Sequence, residues 1–299
     1  MKLHVGLDIG STTVKLVILD EAFSIVYETY KRHFSNVKLT INQVIEEAYF
    51  KFKDADITIA VTGSGALSVH KALDIAYVQE VIAATEAIER MIPKTDVVIE
   101  LGGEDSKITY MRGAIEQRMN SICAGGTGAF IDQMASLLQT DALGLNALSK
   151  DFTKIYPIAS RCGVFAKTDI QALINQGAKK ADIAVSVFQS VVNQTISNLA
   201  CGRPIRGKVA FLGGPLHFLP MLKARFVETL NLRDDEVIAP DNGQIFVALG
   251  AAIYGASLET IKFKEVYDKT LIQGDNEEKE SETLAPLFES EEEKEAFIL

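Results

Sequence analysis

The sequence predicts an α/β protein of two similar lobes that face each other across a cleft. Three observations carry this. A strand ending in an acid, a glycine turn and a second strand occur near the N-terminus and recur from residue 97. Short apolar strands alternate with segments of helical periodicity through the rest of the chain. Gly-rich turns follow several of the strands.

Val5–Asp8 reads as a first strand, Thr13–Asp20 as a second beyond the Gly-Ser-Thr turn, and Ile25–Tyr30 as a third beyond Glu-Ala-Phe-Ser. Short turns between β-branched runs make this an antiparallel meander. From Val97, "VVIELGGEDSKITYMRGAIEQRMN" repeats the plan. Asp8 then falls on Glu100, Gly10 on Gly102, Ser11 on Gly103, Thr13 on Asp105 and Lys15 on Lys107. Such an internal repeat governs how everything else is read.

Between the meanders, Ile57–Val61 is a short strand ending at "TGSG", and Gln79–Ile92 is an amphipathic helix. The stripe of that helix is Val81, Ile82, Ala84, Ile88 and Met91, and Pro93 closes it. In the second half, Phe130, Ile131, Met134, Leu137 and Leu138 have helical spacing. Asp182 is placed to cap a long helix running to about Ala200. Lys208–Leu212 is a strand that breaks at Gly213-Gly214, and Pro215 suits the first turn of the next helix. "VIAP" is a last strand, and "DNGQIFVALGAAIYGA" a small-residue helix able to pack closely. The expected division is lobe I over 1–93, lobe II over 94–240, a helix returning to lobe I over 241–266, and an acidic linker or exposed tail over 267–299.

The chain has 299 residues, 47% of them hydrophobic, and a formal net charge of −10. That charge argues against nucleic acid as a partner, because phosphate backbones need a basic face. No apolar run approaches the roughly 20 residues of a membrane span, and the N-terminus lacks a signal-peptide profile. A cytoplasmic protein is expected. Three cysteines are too few for a disulfide framework.

The turns at Gly10-Ser11-Thr12-Thr13, Gly102-Gly103, Gly125-Gly126-Thr127-Gly128 and Gly213-Gly214 each follow a strand. Glycine lets backbone N–H groups approach an oxyanion, and Ser and Thr add hydroxyl donors. Asp8 and Glu100, just ahead of two of these turns, are placed to hold Mg²⁺ through water. A P-loop signature and a Gly-x-Gly-x-x-Gly fingerprint are both missing.

Cys123 and Cys162 each stand just ahead of an expected helix start, where partial positive charge stabilises thiolates. Alone, each thiol is equally well read as packing. Two thiols do not complete a four-ligand metal site, whereas a two-fold pair of units supplies four. Cys201 is expected to be buried or inert, His70 and His217 to be structural, and Asp169 to support the helix after Cys162. Arg161, beside Cys162, is either exposed or turned toward a partner.

Over residues 1–254 the arrangement resembles the actin, sugar-kinase and Hsp70 superfamily, the ASKHA class of the ribonuclease H-like fold. The resemblance implies that Asp8, Gly10, Ser11, Thr12, Thr13 and Lys15 face ATP phosphates from one lobe. Gly102, Gly103 and Asp105 would face them from the other, with Gly213 and Gly214 against adenosine and Gly126 and Thr127 near the nucleotide. Asp105, or its neighbour Glu104, would position the attacking water.

"MNSICAGGTGAFIDQMA" and "IASRCGVFAKTDIQALINQG" further resemble the activators of 2-hydroxyacyl-CoA dehydratases and the related BadF/BcrA-type ATPase subunits. That likeness implies that Cys123 and Cys162, with the same pair from a second unit, bind a shared [4Fe-4S] cluster. ATP turnover would then let a low-potential electron pass to an iron–sulfur dehydratase or reductase, the electron being supplied by a flavodoxin- or ferredoxin-like donor. A homodimer, or pairing with a second activase unit, is expected. "CAGGTGAFIDQMA" looks closest to the activase units of long multi-domain relatives, so the chain is expected to be one unit of a longer polypeptide. The competing expectations are a cluster-free kinase or ATPase of the same fold and an actin-like assembly protein.

Overall fold

The computed structural model describes residues 1–120, 125–160 and 162–274, with isolated positions beyond; side chains are described up to residue 271 of the last helix. Lobe I opens with β1 (Lys2–Ile9), β2 (Thr13–Leu19), β3 (Ile25–Arg32) and α1 (Val37–Lys51). It continues through β4 (Asp56–Thr62), α2 (Ala66–Leu73), β5 (Ala76–Tyr77) and α3 (Glu80–Met91). Lobe II runs through β6 (Val97–Leu101), β7 (Ser106–Tyr110), β8 (Glu116–Asn120), α4 (Gly128–Leu137), α5 (Ala142–Leu148) and α6 (Gly163–Asn175). Then come α7 (Lys180–Thr195), ending in a π turn (Ile196–Ala200), β9 (Val209–Leu212), α8 (Gly214–Phe218), α9 (Pro220–Leu230) and β10 (Val237–Ile238). The chain closes with α10 (Phe246–Gly255), β11 (Ile261–Lys262) and α11 (Phe263–Gly274).

The repeat read from the sequence is present strand by strand. One sheet is ordered β5-β4-β1-β2-β3, with β11 also on β4; the other is β10-β9-β6-β7-β8. In each, the first three strands are antiparallel and the next strand adds parallel to the first. Asp8 lies opposite Lys15 in one lobe, and Glu100 opposite Lys107 in the other. Both hairpins close alike: Gly10 N donates to Thr13 O and Gly102 N to Asp105 O, each over 2.9 Å.

Each sheet packs its own apolar core, and α3 and α10 join a third cluster to both, meeting Val17 and Ala60 on one side and Val98 and Ala210 on the other. Small residues allow this. A Cβ at Gly250 of α10 would sit 1.6 Å from Ala83 O, and one at Gly6 of β1 1.9 Å from Ala248 O. Those helices and strands meet at backbone distance, so neither glycine tolerates a side chain.

Three expectations are corrected. The buried face of α3 is Ala83, Ala84, Ala87 and Ile88, while Ile82 and Met91 are exposed. The close crossing with α10 selects alanines over the larger residues. Asp182 lies inside the first turn of α7, whose N-cap is Lys179, and its carboxylate accepts from Thr153 N and Lys154 N to fix the preceding loop. The chain does not become a tail at 267. α11 runs to Gly274, with Phe263 and Val266 buried and Tyr267 stacked on Tyr49 of α1 at 4.4 Å.

Candidate functional site

The two hairpin turns meet at the centre of the molecule. A Cβ on Gly103 would lie 2.0 Å from Thr12 Oγ1, so the loops of the two lobes touch. Around this contact lies a cavity of about 400 Å³. Thr12, Thr13 and Lys15 line it from lobe I, and Glu100, Gly102 and Gly103 from lobe II. Gly213 and Gly214 form its floor beside Gly243 and Gln244. Gly213 has φ +89°, and a Cβ there would strike Leu101 O at 2.1 Å. Only glycine brings β9 round this corner onto β6.

The cavity lining combines charged side chains with apolar and aromatic ones. Leu143 and Phe218 of lobe II and Tyr30 of lobe I belong to its apolar lining. The Tyr30 and Phe218 rings meet edge-on at 5.4 Å, and Lys15 Nζ lies 5.8 Å from the Tyr30 ring centre. At the mouth, Arg32 of β3 pairs with Asp132 of α4 across the lobes. An aromatic wall beside glycine turns and charged side chains fits a purine nucleotide.

Of the charged groups of the hairpins, Lys15 and Glu100 line the cavity; Asp8 lies behind them, buried, and its Oδ2 accepts from Lys15 Nζ at 2.7 Å. Burial pulls the Lys15 pKa down, but Asp8, then Tyr30 and Glu100, outweigh it and hold it above its ordinary value. Lys107 is more heavily surrounded, pairing with Asp105 at 2.7 Å, with Glu100 at 3.3 Å and with Glu80 of α3. Burial again opposes its charge, and the carboxylates of Glu100, Glu80 and Asp105 together keep it well above the usual lysine range. Burial raises the Glu80 carboxyl to about 6, more than Lys107 lowers it, with Glu100 and Asp8 adding to the rise. The four acids Asp8, Glu80, Glu100 and Asp105 thus face two lysines. Among the described residues no three of these side chains converge as direct metal ligands, so the surplus negative charge suits a Mg²⁺ that keeps its waters and is carried in with a nucleotide.

The remaining expected residues fall in several places. Ser11 and Glu104 are exposed at the hairpin tips and do not line the cavity. Gly10 holds the turn, its carbonyl 3.2 Å from His33 Nε2. Asp105 is turned onto Lys107. Gly126 and Thr127 do not line the cavity either; Gly126 has φ +80° and packs against Gln194 of α7. The reason lies in the first α4 amides. Gly128 N donates to Gly102 O at 3.0 Å and Ala129 N to Gly103 O at 2.8 Å. The start of α4 is therefore held by the carbonyls of the second hairpin, rather than offering free N–H groups to an anion.

Cys123 and Arg161 lie outside the described residues. Cys162 is a partly exposed free thiol at the N-cap of α6, followed by exposed Val164 and Phe165. A Cβ on Gly163 would be 3.6 Å from the Phe130 ring, so α6 starts beside the first turn of α4. Asp169 accepts from Ala159 N at 2.8 Å and so steadies the loop ahead of Cys162. Cys201 is exposed rather than buried, because it caps the π turn in the left-handed region at φ +47° with Sγ on Asn198 O. His70 meets Ile75 O, and His217 lies edge-on to Phe218.

Glu80, Tyr30, Arg32, Asp132, Phe218 and Gln244 escaped the sequence reading. They sit on elements that were foreseen, yet they join the site only through the meeting of the lobes. The one local signal was an acid in the first turn of the α3 segment.

A duplicated pair of sheets with glycine hairpins closing on a half-apolar, half-acidic cleft defines a two-lobed ATPase of the actin, sugar-kinase and Hsp70 fold. The chain belongs to the BadF/BadG/BcrA/BcrD ATPase family, whose model matches residues 5–255. It is 31% identical over 268 residues to the 2-hydroxyisocaproyl-CoA dehydratase activator of Clostridioides difficile, covering 87% of this chain and 97% of that one. The crystal structure of (R)-2-hydroxyglutaryl-CoA dehydratase component A of Acidaminococcus fermentans superposes with TM-score 0.74 at 26% identity, over 89% of this chain and 99% of that one. The activator of the 2-hydroxyisocaproyl-CoA dehydratase from Clostridium difficile, with bound ADPNP, gives 0.71 at 27%, over 95% and 100%. Among the described residues no helix is long and apolar enough to cross a membrane.

Proposed function

We propose that this ATPase activates a 2-hydroxyacyl-CoA dehydratase or a related iron–sulfur reductase, coupling Mg-ATP turnover to transfer of a low-potential electron. The names of its relatives support the partner class. The observation that carries the coupling is the pair of hydrogen bonds from Gly128 and Ala129 to the second phosphate hairpin. They tie the turn that faces the nucleotide to the helix that follows the Cys123 motif. A movement of that hairpin between nucleotide states therefore moves α4 and, through Phe130, the start of α6 at Cys162.

Cys123 and Cys162, with the same pair from a second unit, would hold a [4Fe-4S] cluster. The partly exposed Cys162 thiol at a helix N-terminus, flanked by exposed Val164 and Phe165, fits a ligand shared with another chain. Bound there, the cluster supplies one-electron chemistry at low potential. A flavodoxin- or ferredoxin-like donor would reload it. In the cleft, Asp8 and Glu100 hold magnesium through water, and the hairpin amides and Lys15 meet the phosphates. Gly213, Gly214 and Gln244 border the adenosine. Glu80 and Asp105, both paired with Lys107, share the water-orienting role, Glu80 being singled out by its raised carboxyl, while Glu104 is exposed at the hairpin tip. Iron and sulfide analysis of anaerobically prepared protein tests the reading. About two irons per chain, with brown colour lost in Cys162→Ser and Cys123→Ser, is expected. Colourless, iron-free protein after reconstitution overturns it and favours the cluster-free ATPase.

A further inference from the structure

The two lobes differ at one place where the repeat predicts a match. In register, Lys107, Glu100 and Leu212 lie side by side on β7, β6 and β9. Their counterparts on β2, β1 and β4 are Lys15, Asp8 and Thr62. Residues opposite one another on neighbouring strands project to the same face of a sheet, so Thr62 shares the face of Asp8 and Lys15. The corners that follow also match. Gly63 and Gly213 have φ +99° and +89°, and a Cβ on either would strike the facing carbonyl, Ile9 O or Leu101 O. The strand ends are thus built to one plan, and that plan accepts leucine in lobe II. Nothing in the backbone calls for a hydroxyl at 62.

Yet Thr62 is fully buried, and its Oγ1 has no hydrogen-bond partner among the described residues. A buried hydroxyl without a partner costs free energy that a valine of the same shape avoids. The neighbourhood shows what the hydroxyl faces. Asp8 Oδ2 is taken by Lys15, while Asp8 Oδ1 leans over the end of β4, so that a Cβ on Gly63 would lie 2.5 Å from it. Glu80, at the start of α3, feels the charge of both Glu100 and Asp8. Thr62 is therefore buried behind the cavity lining, on the sheet face of Asp8 and next to the corner over which the carboxylate oxygen that Lys15 leaves free leans.

We infer that Thr62 is a positioning residue of the ATPase centre: its hydroxyl, with Asp8, holds a water of the magnesium–phosphate group. The inference depends on ATP hydrolysis in this cleft and not on the cluster. Leu212, by contrast, presents an apolar side chain to the cavity lining beside Gly213 and Gly214.

The test compares Thr62→Val and Thr62→Ser with the parent chain in steady-state ATP hydrolysis and in melting with and without Mg-ADP. Thr62→Val is expected to lower kcat about 10- to 100-fold with little change in KM for ATP. It should melt no lower than the parent without nucleotide and gain less from Mg-ADP. Thr62→Ser should restore turnover and the Mg-ADP response. Unchanged turnover in Thr62→Val overturns the inference. So does a lowered nucleotide-free melting temperature in Thr62→Val with a kcat loss that serine does not repair, since that marks a purely structural threonine. If Asp8→Ala kept full activity, the nucleotide site itself would be misplaced, which separates that failure from this one.

Discussion

The two hairpins are one device used twice, and their ion pairs differ. In lobe I, Lys15 answers a single carboxylate, Asp8. In lobe II, Lys107 answers three, one of which, Glu80, reaches it from the far side of the cleft. A shared register thus delivers a simple pair on one side and a network on the other. A lone buried pair fails completely when one member goes, whereas a network degrades in steps. Lobe I therefore holds the more fragile charge, and lobe II carries the lysine whose loss strands the most charge.

The largest expected effect breaks lobe I. Asp8→Asn keeps the shape but removes the one carboxylate paired with Lys15 among the described residues. ATP turnover should fall by about 10³-fold or more, as expected when a metal-positioning carboxylate is lost from a phosphoryl-transfer site. Asp105→Asn, its rival in the hairpin of lobe II, leaves Lys107 with two acids and should cost far less in the same assay. Equal losses in the two variants would erase the asymmetry.

Stability should show the reverse order. Lys107→Met leaves Glu80, Glu100 and Asp105 without their shared cation and should cost about 3–5 kcal/mol in denaturant unfolding at neutral pH. Lys15→Met strands only Asp8 and should cost less. Much of the Lys107→Met penalty should vanish as the pH falls, because the stranded acids can then take up protons.

How much of this was legible in the sequence depends on whether a feature is local. The hairpins, their aligned acids and lysines, and the helix starts at Gly128 and Gly163 follow from turn chemistry and periodicity within about 20 residues, so the repeat was readable. The phase of α3 was not. Ile82 and Met91 promised the buried stripe by hydropathy, but the crossing with α10 at Gly250 leaves room only for alanine. Glu80 was invisible for a related reason. Its partner Lys107 lies in the other lobe, and no spacing within one element records that meeting. Gly125-Gly126-Thr127-Gly128 read as a phosphate cradle, but the amides of Gly128 and of Ala129 after it go to carbonyls far away in sequence, at Gly102 and Gly103.

The acid contributed from across the cleft sharpens the comparison through pH. Glu80 is raised to about 6, first by burial and then by Glu100 and Asp8. A water-orienting carboxylate must be ionised, so turnover should rise through about pH 6 and then level off. Glu80→Gln should lower the plateau and remove that rise. The stability sign is opposite. A carboxyl raised in the folded state stabilises fully below its unfolded value, and that contribution is lost as the pH climbs past about 6. Glu80→Gln should therefore lose this pH dependence even as it loses activity. A wild-type profile that is flat through pH 6 would remove Glu80 from the catalytic group.

The smallest effect belongs to the pair that spans the lobes at the surface. Arg32 and Asp132 have side chains 47% and 36% exposed, and water screens them. In a double-mutant cycle of Arg32→Gln and Asp132→Asn, the coupling in unfolding free energy should be at most about 1 kcal/mol. Both residues border the cavity, and Asp132 lies on α4, the helix tied to the second phosphate hairpin. Their loss should therefore appear in KM for ATP and in nucleotide release before it appears in stability. Coupling well above that limit would mean that the lobes are locked by this surface pair, and the buried network at Lys107 would then be the lesser hold between them.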